Sequence, residues 1–244
     1  MNTYIAHPYS IQFGHVAVAR TNWQRHWLNW TVHFRRWFLR GVFASNDLVK
    51  RAFDIAGSLA FLIVFSPLYG VLALLVKLED RGPVFFSQTR VGRFGQTFQM
   101  YKFRSMRPNA DAELASLLAQ NQHSDGVTFK MKKDPRVTRI GKWLRRFSLD
   151  ELPQFANVLK GEMSLVGPRP PTPREVALYS LADRRRLAVR PGLTCFWQVS
   201  GRSNIDFSGQ VKLDVKYIET AGFWVDIKIL AQTVGAVVAG DGAS

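Results

Sequence analysis

Acidic residues are scarce in this chain and cysteine is almost absent. Asp and Glu number 18 against 33 Lys and Arg, and no acid precedes Asp47. The net charge of +15 implies an acidic partner: nucleic acid, an anionic membrane face or a phosphorylated substrate, among which composition alone does not choose. A single cysteine, Cys195, excludes an intrachain disulfide framework and offers no zinc-type spacing, so nothing marks the compartment as oxidising. The N-terminus has no early apolar stretch ending in a small-residue cleavage site, so no cleaved leader is expected. There is no internal repeat, and 244 residues suffice for one sizeable domain with an appendage.

What is present falls into segments. In residues 1–46, Trp23, Trp27, Trp30, Phe34 and Trp37 recur at three- and four-residue steps among Arg20, Arg25, Arg35, Arg36 and Arg40. That spacing predicts a helix lying either in a headgroup layer, where ring and snorkelling cation are both satisfied, or on the protein's own surface; a nucleic-acid arm is a third reading. From Ile55 to Val76 there are 22 residues without a charge, about 33 Å of straight helix and enough to span a bilayer. Ser66-Pro67 interrupts the run, and proline both removes a donor and clashes with the preceding turn. Lys50 and Arg51 before it and Lys77 and Arg81 after it give no preferred orientation to a spanning helix. A helix that goes in, breaks and returns satisfies both flanks; a buried core helix is the alternative.

Val84–Thr89 and Thr97–Phe103 are β-branched and aromatic runs around a turn carrying Gly92 and Gly95, which predicts a β-hairpin bearing Arg90, Lys102 and Arg104. On an isolated hairpin such cations would be solvated edge charges. A polar helix is expected over Ala110–Gln122, an amphipathic one through Trp143 and Leu144, and another from Glu175 to Val189, stopped by Arg190-Pro191-Gly192. Between the last two lies the stretch around which the rest is organised. Arg145 and Arg146 precede the adjacent carboxylates Asp150 and Glu151, and the stretch ends at Arg169 between prolines. Ser148-x-x-Glu151 before Leu152, Phe155, Val158 and Leu159 reads as a capping box, placing both carboxylates at a helix N-terminus. A paired acid ringed by cations suits chemistry on phosphate.

The string Ser-Leu-Asp-Glu-Leu-Pro-Gln154, followed by Asn157-Val-Leu-Lys-Gly-Glu-Met-Ser-Leu-Val-Gly-Pro-Arg-Pro170, resembles the bacterial sugar transferase family, the monotopic polyprenyl-phosphate phosphoglycosyl transferases. The likeness runs from about Lys50 to Thr233. It includes Lys50-Arg51-Ala-Phe-Asp54 and Ser66-Pro67 at the start and break of the membrane helix, Gln88-x-Arg90-x-Gly92, Lys102-Phe-Arg104 and Phe196-Trp-Gln-Val-Ser-Gly-Arg202. Cys195 stands where the family pattern has glycine.

The resemblance implies an α+β, mainly α fold. Its parts would be a basic, Trp-rich extension (1–46), a re-entrant membrane helix (47–81), a cytoplasmic catalytic domain with a small β-hairpin (82–235) and a flexible tail (236–244). It implies transfer of a sugar-1-phosphate from a nucleoside diphosphate sugar, expected to be a UDP-sugar, to undecaprenyl or another polyprenyl phosphate. This would be the first membrane step of exopolysaccharide, capsule, O-antigen or glycan assembly. Asp150 would be the nucleophile, giving a covalent phosphosugar-aspartate, and Glu151 would manage a proton or help hold Mg²⁺, the metal ligands being Asp150 and Glu151. Arg145 and Arg169 are the first candidates for the phosphates, followed by Lys102, Arg104 and Arg90. The implied place is the cytoplasmic face of the bacterial inner membrane. The implied partners are the donor, the polyprenyl phosphate and membrane lipid, with no nucleic acid; a homo-oligomer and polysaccharide-assembly proteins remain open. Two readings of other classes stand beside it. A membrane scaffold would need neither Asp150 nor Glu151, and a basic nucleic-acid-binding protein would leave the charge-free run unexplained.

Overall fold

A computed structural model describes residues 47–108, 110, 112–113, 127, 131, 134–201 and 205–239. The expected N-terminal Trp/Arg helix, most of the expected helix at Ala110–Gln122, and the end of the tail lie outside the described residues. The chain divides into two compact units, Met1–Leu48 and Val49–Ser244.

The charge-free run forms two helices, α1 (Asp47–Val64) and α2 (Ser66–Asp80), bent by 64°. The break is where proline dictates it. Pro67 cannot donate to the carbonyl four residues back, that of Ile63, and the Ser66 hydroxyl donates to that carbonyl instead at 2.9 Å. Among the described residues no single helix is long and apolar enough to cross a membrane; the bent pair, taken together, has the length and composition for it. Ile55, Leu59, Ile63 and Val64 on the first arm, Phe65 at the break and Val71, Leu74 and Leu78 on the second are exposed, apolar surface of the kind that interaction sites present.

The charged residues at the start of α1 dock it. Arg51 donates to the carbonyls of Val158 and Leu159 at 2.6 and 2.8 Å, the C-terminal end of α4 (Gln154–Lys160), where a cation also meets the negative pole of the helix dipole. Asp54, 2% exposed, accepts from Ser164 Oγ at 3.1 Å and Leu165 N at 3.0 Å. Lys50 pairs with Asp226 at 2.5 Å.

The hairpin forms as expected. β1 (Phe85–Val91) and β2 (Thr97–Phe103) are antiparallel, with Phe85 opposite Phe103 and Val91 opposite Thr97. A second, two-stranded parallel sheet, β3 (Ser164–Val166) with β4 (Gly192–Thr194), was not evident from the sequence. Three-residue strands carry no readable alternation. Gly167 and Gly192 let the two backbones meet, since a Cβ on Gly192 would come within 2.0 Å of Gly167 N.

Amphipathic α3 (Arg139–Arg146) starts at Thr138, whose hydroxyl accepts from Gly141 N. The expected helix Glu175–Val189 is instead two pieces, α5 (Pro173–Ala177) and a 3-10 turn (Asp183–Ala188). Between them Ser180 and Asp183 bond reciprocally, Ser180 N to Asp183 Oδ2 at 2.9 Å and Asp183 N to Ser180 Oγ at 3.3 Å, which restarts the chain in a new direction. Short α6 (Phe196–Ser200) follows, then α7 (Phe207–Thr220) and α8 (Phe223–Ala239). Cys195, where glycine was expected, is extended (φ −154°) with its thiol buried, a conformation any residue adopts. One core cluster gathers Met100, Phe155, Val158, Leu165, Val166, Tyr217 and Ile229; a second joins Leu72 and Val76 of α2 to Phe103 and Leu144. The carboxylates lie on the chain between α3 and α4, beside both clusters.

Candidate active site

Asp150 and Glu151 sit in one 3-10 turn, Leu149–Glu151, ahead of α4. The expected capping box does not form. Ser148 has φ 55° and its side chain caps nothing, and the Glu151 carboxylate, which would have closed the box, is held by cations from other elements. A capping box does form elsewhere, between Thr172 and Glu175 at the start of α5.

Lys102, on the face of β2 that also carries Phe98 and Met100, donates to Glu151 Oε1 at 2.8 Å and lies 3.8 Å from Asp150 Oδ2. Arg169 reaches the same Glu151 oxygen at 3.3 Å. It follows β3, where Gly167 N donates to Thr194 O and Gly192 N to Pro168 O at 3.0 and 2.9 Å, so its backbone is pinned by the parallel ladder. Arg145, at the end of α3, is turned inward and donates from Nε to Ser105 Oγ at 3.0 Å. The Tyr69 hydroxyl of α2 donates to Leu152 O at 2.5 Å, fixing the carboxylate turn from the other side.

Burial acts on both carboxylates, and their neighbours separate them. Asp150, 6% exposed, has its pKa raised by burial and by Glu151, against the lowering pull of Lys102, Arg145 and Arg169. For Glu151 burial also raises the pKa, but Lys102 and Arg169, close enough to hydrogen-bond, outweigh it and bring it down to about 2. Asp150 is thus the more basic carboxylate of the pair, and three cations face it. Burial likewise depresses the pKa of Arg145, countered by Asp150.

Arg90 lies close by. It donates to Pro170 O at 3.0 Å and Gln88 Oε1 at 2.6 Å. Burial, with Arg169 beside it, lowers its pKa to about 10. Arg104, also expected at the phosphate, is engaged elsewhere. Its guanidinium forms a fork with the Asp80 carboxylate and bonds Pro83 O at 2.5 Å, tying the end of α2 to the hairpin. The structure therefore brings together Asp150, Glu151, Lys102, Arg145 and Arg169, sets Arg90 next to them, and leaves Arg104 to the scaffold. Lys50, Arg51, Asp54 and Ser66 hold the bent helix pair, as described.

The site lies in a cleft of about 1920 Å³ with two kinds of wall. Phe53, Phe61, Phe65 and Leu68 of the bent pair and Leu230, Val234 and Val237 of α8 form the apolar part; the carboxylates, Lys102, Arg145 and Arg169 form the polar part. Among the described residues no group of three or more His, Cys, Asp or Glu side chains could hold a metal. Two carboxylates, one already bonded to two cations, fit only an ion that draws most of its ligands from substrate phosphate and water, as Mg²⁺ does. Missed from the sequence were Ser105, which holds Arg145, and Asn157, whose side chain joins α4 to β2; Asn157 lies inside the motif string but nothing in its spacing announces a contact.

The bacterial sugar transferase family model matches residues 45–240. "Galactosyl transferase CpsE" of Streptococcus agalactiae serotype III is 49% identical over 203 residues, 82% of this chain and 44% of that protein. "Undecaprenyl-phosphate galactose phosphotransferase" of Salmonella typhimurium is 44% identical over 202 residues, 82% of this chain and 42% of that protein. "Exopolysaccharide production protein ExoY" of Rhizobium meliloti is 40% identical over 195 residues, 79% of this chain and 86% of that protein. The chain thus spans less than half the length of the first two relatives and most of the third. On the family match and on these likenesses, the chain belongs to the bacterial sugar transferase family.

Proposed function

We propose that this protein transfers a sugar-1-phosphate from a nucleoside diphosphate sugar, in the first instance a UDP-sugar, to undecaprenyl phosphate at the cytoplasmic face of the inner membrane. The observation that carries the reading is the Asp150–Glu151 pair, buried beneath Lys102, Arg145 and Arg169 in a cleft whose other wall is apolar. A polyprenyl phosphate has the same two characters, an anionic head and an apolar tail.

In the reaction Asp150 Oδ attacks the sugar-side phosphorus. An oxygen–phosphorus bond forms, the bond to the bridging oxygen breaks, and the electron pair leaves with the nucleoside monophosphate. A phosphate oxygen of the polyprenyl phosphate then attacks the same phosphorus and returns the Asp150 carboxylate. Two displacements replace one direct reaction between two anions. Arg169 and Arg145 present guanidinium forks to the transferring phosphoryl oxygens, and Lys102 holds Glu151 ionised beside the nucleophile. Mg²⁺, held by Asp150 or Glu151 and the diphosphate, would offset charge between the carboxylate and the donor.

The bent helix pair enters the leaflet and returns, so that Asp47 and the catalytic part share one side. The 64° bend, the Ser66 bond and the exposed apolar face of both arms support this. Phe223 and Trp224, exposed at the start of α8, suit the same interface. The test is release of nucleoside monophosphate by purified protein supplied with UDP-sugars and undecaprenyl phosphate, together with intact-protein mass measurement after donor alone. One sugar-phosphate mass on a peptide containing Asp150 is expected. No release and no adduct across the donor panel would overturn the proposal.

A further inference from the structure

Lys102 touches both carboxylates, yet it projects from a two-stranded ribbon, and such a ribbon has no sheet of its own to fix its height. Something else must set Lys102 against the 3-10 turn. The outer edge of β2, the one away from β1, is where this is done. The carboxamide of Asn157, fully buried, accepts from Tyr101 N at 3.0 Å through Oδ1 and donates from Nδ2 to Gln99 O at 2.7 Å. It bonds β2 as the peptide of a neighbouring strand would. The second Nδ2 proton goes to Glu162 Oε2 at 2.7 Å. Only one orientation of the amide serves all three partners, because Tyr101 N is a donor while Gln99 O and the Glu162 carboxylate are acceptors.

Glu162 is held in turn by the close of α4. Gly161 has φ 86°, and both Glu162 N and Met163 N donate to Asn157 O at 3.1 and 3.3 Å. Asn157 therefore has its backbone in the helix that follows the carboxylates and its side chain in the strand that carries the lysine. Tyr101 is the residue before Lys102. The carboxamide is the buried polar link between the two elements; at the exposed end of α4 Lys160 Nζ also donates to the Tyr101 hydroxyl at 2.7 Å, a flexible surface contact, and Met100 and Phe98 on Phe155 and Val158 form an apolar one.

We infer that Asn157 is a positioning residue that sets the Lys102 ammonium against the Asp150–Glu151 pair. This rests on reading that pair as the reaction site. Without Asn157, Gln99 O and Tyr101 N lose their buried partner, the middle of β2 is no longer set against α4, and the 2.8 Å contact between Lys102 and Glu151 lengthens.

The experiment uses the full chain in detergent. A water-soluble carbodiimide activates a carboxyl group so that an amine already in contact forms an amide; Lys102 and Glu151 should give an internal isopeptide, read by peptide mass spectrometry. Asn157→Leu should lower its yield several-fold and lower kcat for nucleotide release several-fold while leaving KM for the donor close to wild type. Val158→Ala, one residue on and fully buried, opens a cavity and lowers the thermal midpoint, yet should leave both readouts in place. Wild-type cross-link yield in Asn157→Leu, or an equal loss in Val158→Ala, would overturn the inference. Should Asn157→Leu not fold, Asn157→Asp serves: it keeps the acceptor for Tyr101 N, turns a carboxylate oxygen on Gln99 O and Glu162, and should lose the cross-link, with partial recovery on adding Glu162→Gln. Absence of that loss also overturns it. The cross-link needs no turnover, so a protein that gives the expected yields but releases no nucleotide from any donor refutes the proposed reaction and leaves the placement of Lys102 intact.

Discussion

Replacing Lys102 with methionine keeps the length and apolar stem of the side chain and removes only its charge. Lys102 is the first of the groups that lower the pKa of Asp150 and of Glu151 against burial. For Glu151 the fall from 4.5 to about 2 corresponds to about 3 kcal/mol in favour of the ionised form. Because the folded value lies below the unfolded one, this stability is present above pH 4.5 and is lost as the pH falls through about 2. Arg169, at 3.3 Å and partly exposed, lowers it too, and together the two cations outweigh the burial that raises it. Lys102 heads those two cations, so Lys102→Met should be less stable at neutral pH by about 2–3 kcal/mol. The two carboxylates, now adjacent with one fewer cation, should share a proton at higher pH, so the acid limb of the pH–rate profile should rise by at least about one unit. The assay is nucleotide release from pH 4 to 9 at saturating donor, paired with thermal unfolding across the same range. An acid limb superimposable on wild type would refute the electrostatic account, whatever happened to the maximal rate.

Asp150→Asn should abolish turnover and adduct formation. Since burial raises the Asp150 pKa, its charge costs stability above the folded value, and the amide variant should melt no lower than wild type at neutral pH; a clear drop would contradict that sign. Arg169→Lys should lose at least about tenfold in rate, because a point charge does not replace a fork on phosphate, whereas Arg184→Lys, on an exposed side chain, should be near neutral; equal sensitivity would mean that general basicity and not a phosphate site is at work. Asp54→Ala leaves Leu165 N without its buried acceptor and should cost about 2–4 kcal/mol, read as a lower thermal midpoint with α1 more open to proteolysis. Asp47→Cys and Lys142→Cys, each in a Cys195→Ser background, should be labelled only from the cytoplasmic side; periplasmic labelling at position 47 would replace the re-entrant helix with a spanning one. Ser66→Ala with Pro67→Leu restores the missing donor and should straighten the pair, moving part of the population to that spanning form.

Local rules carried the sequence a long way. The bend at Ser66-Pro67 follows from covalent structure, since proline has no N–H wherever it sits, and the hairpin follows from two β-branched runs joined by a glycine turn. The nearness of Asp150 to Glu151 is a matter of adjacency, Arg145 stood out by its place just before them, and likeness to the family's strings drew in Lys102 and Arg169. What the strings did not contain was the third dimension of each charge. Arg104 lies two residues from Lys102 on the same motif, yet one meets Asp80 and the other Glu151, because the strand ends between them and Asp80 arrives from the end of α2. Ser148 and Glu151 have capping-box spacing, but the box is undone by Lys102 and Arg169, which come from β2 and from the turn after β3. Asp54 and Arg51 read as flanks of a membrane helix and are in fact its docking to β3 and α4. An ion pair's partner is chosen by which elements pack together, and packing is settled by the whole core at once: helical and strand periods are written along the chain, while the partner of a buried charge exists only after the chain has folded.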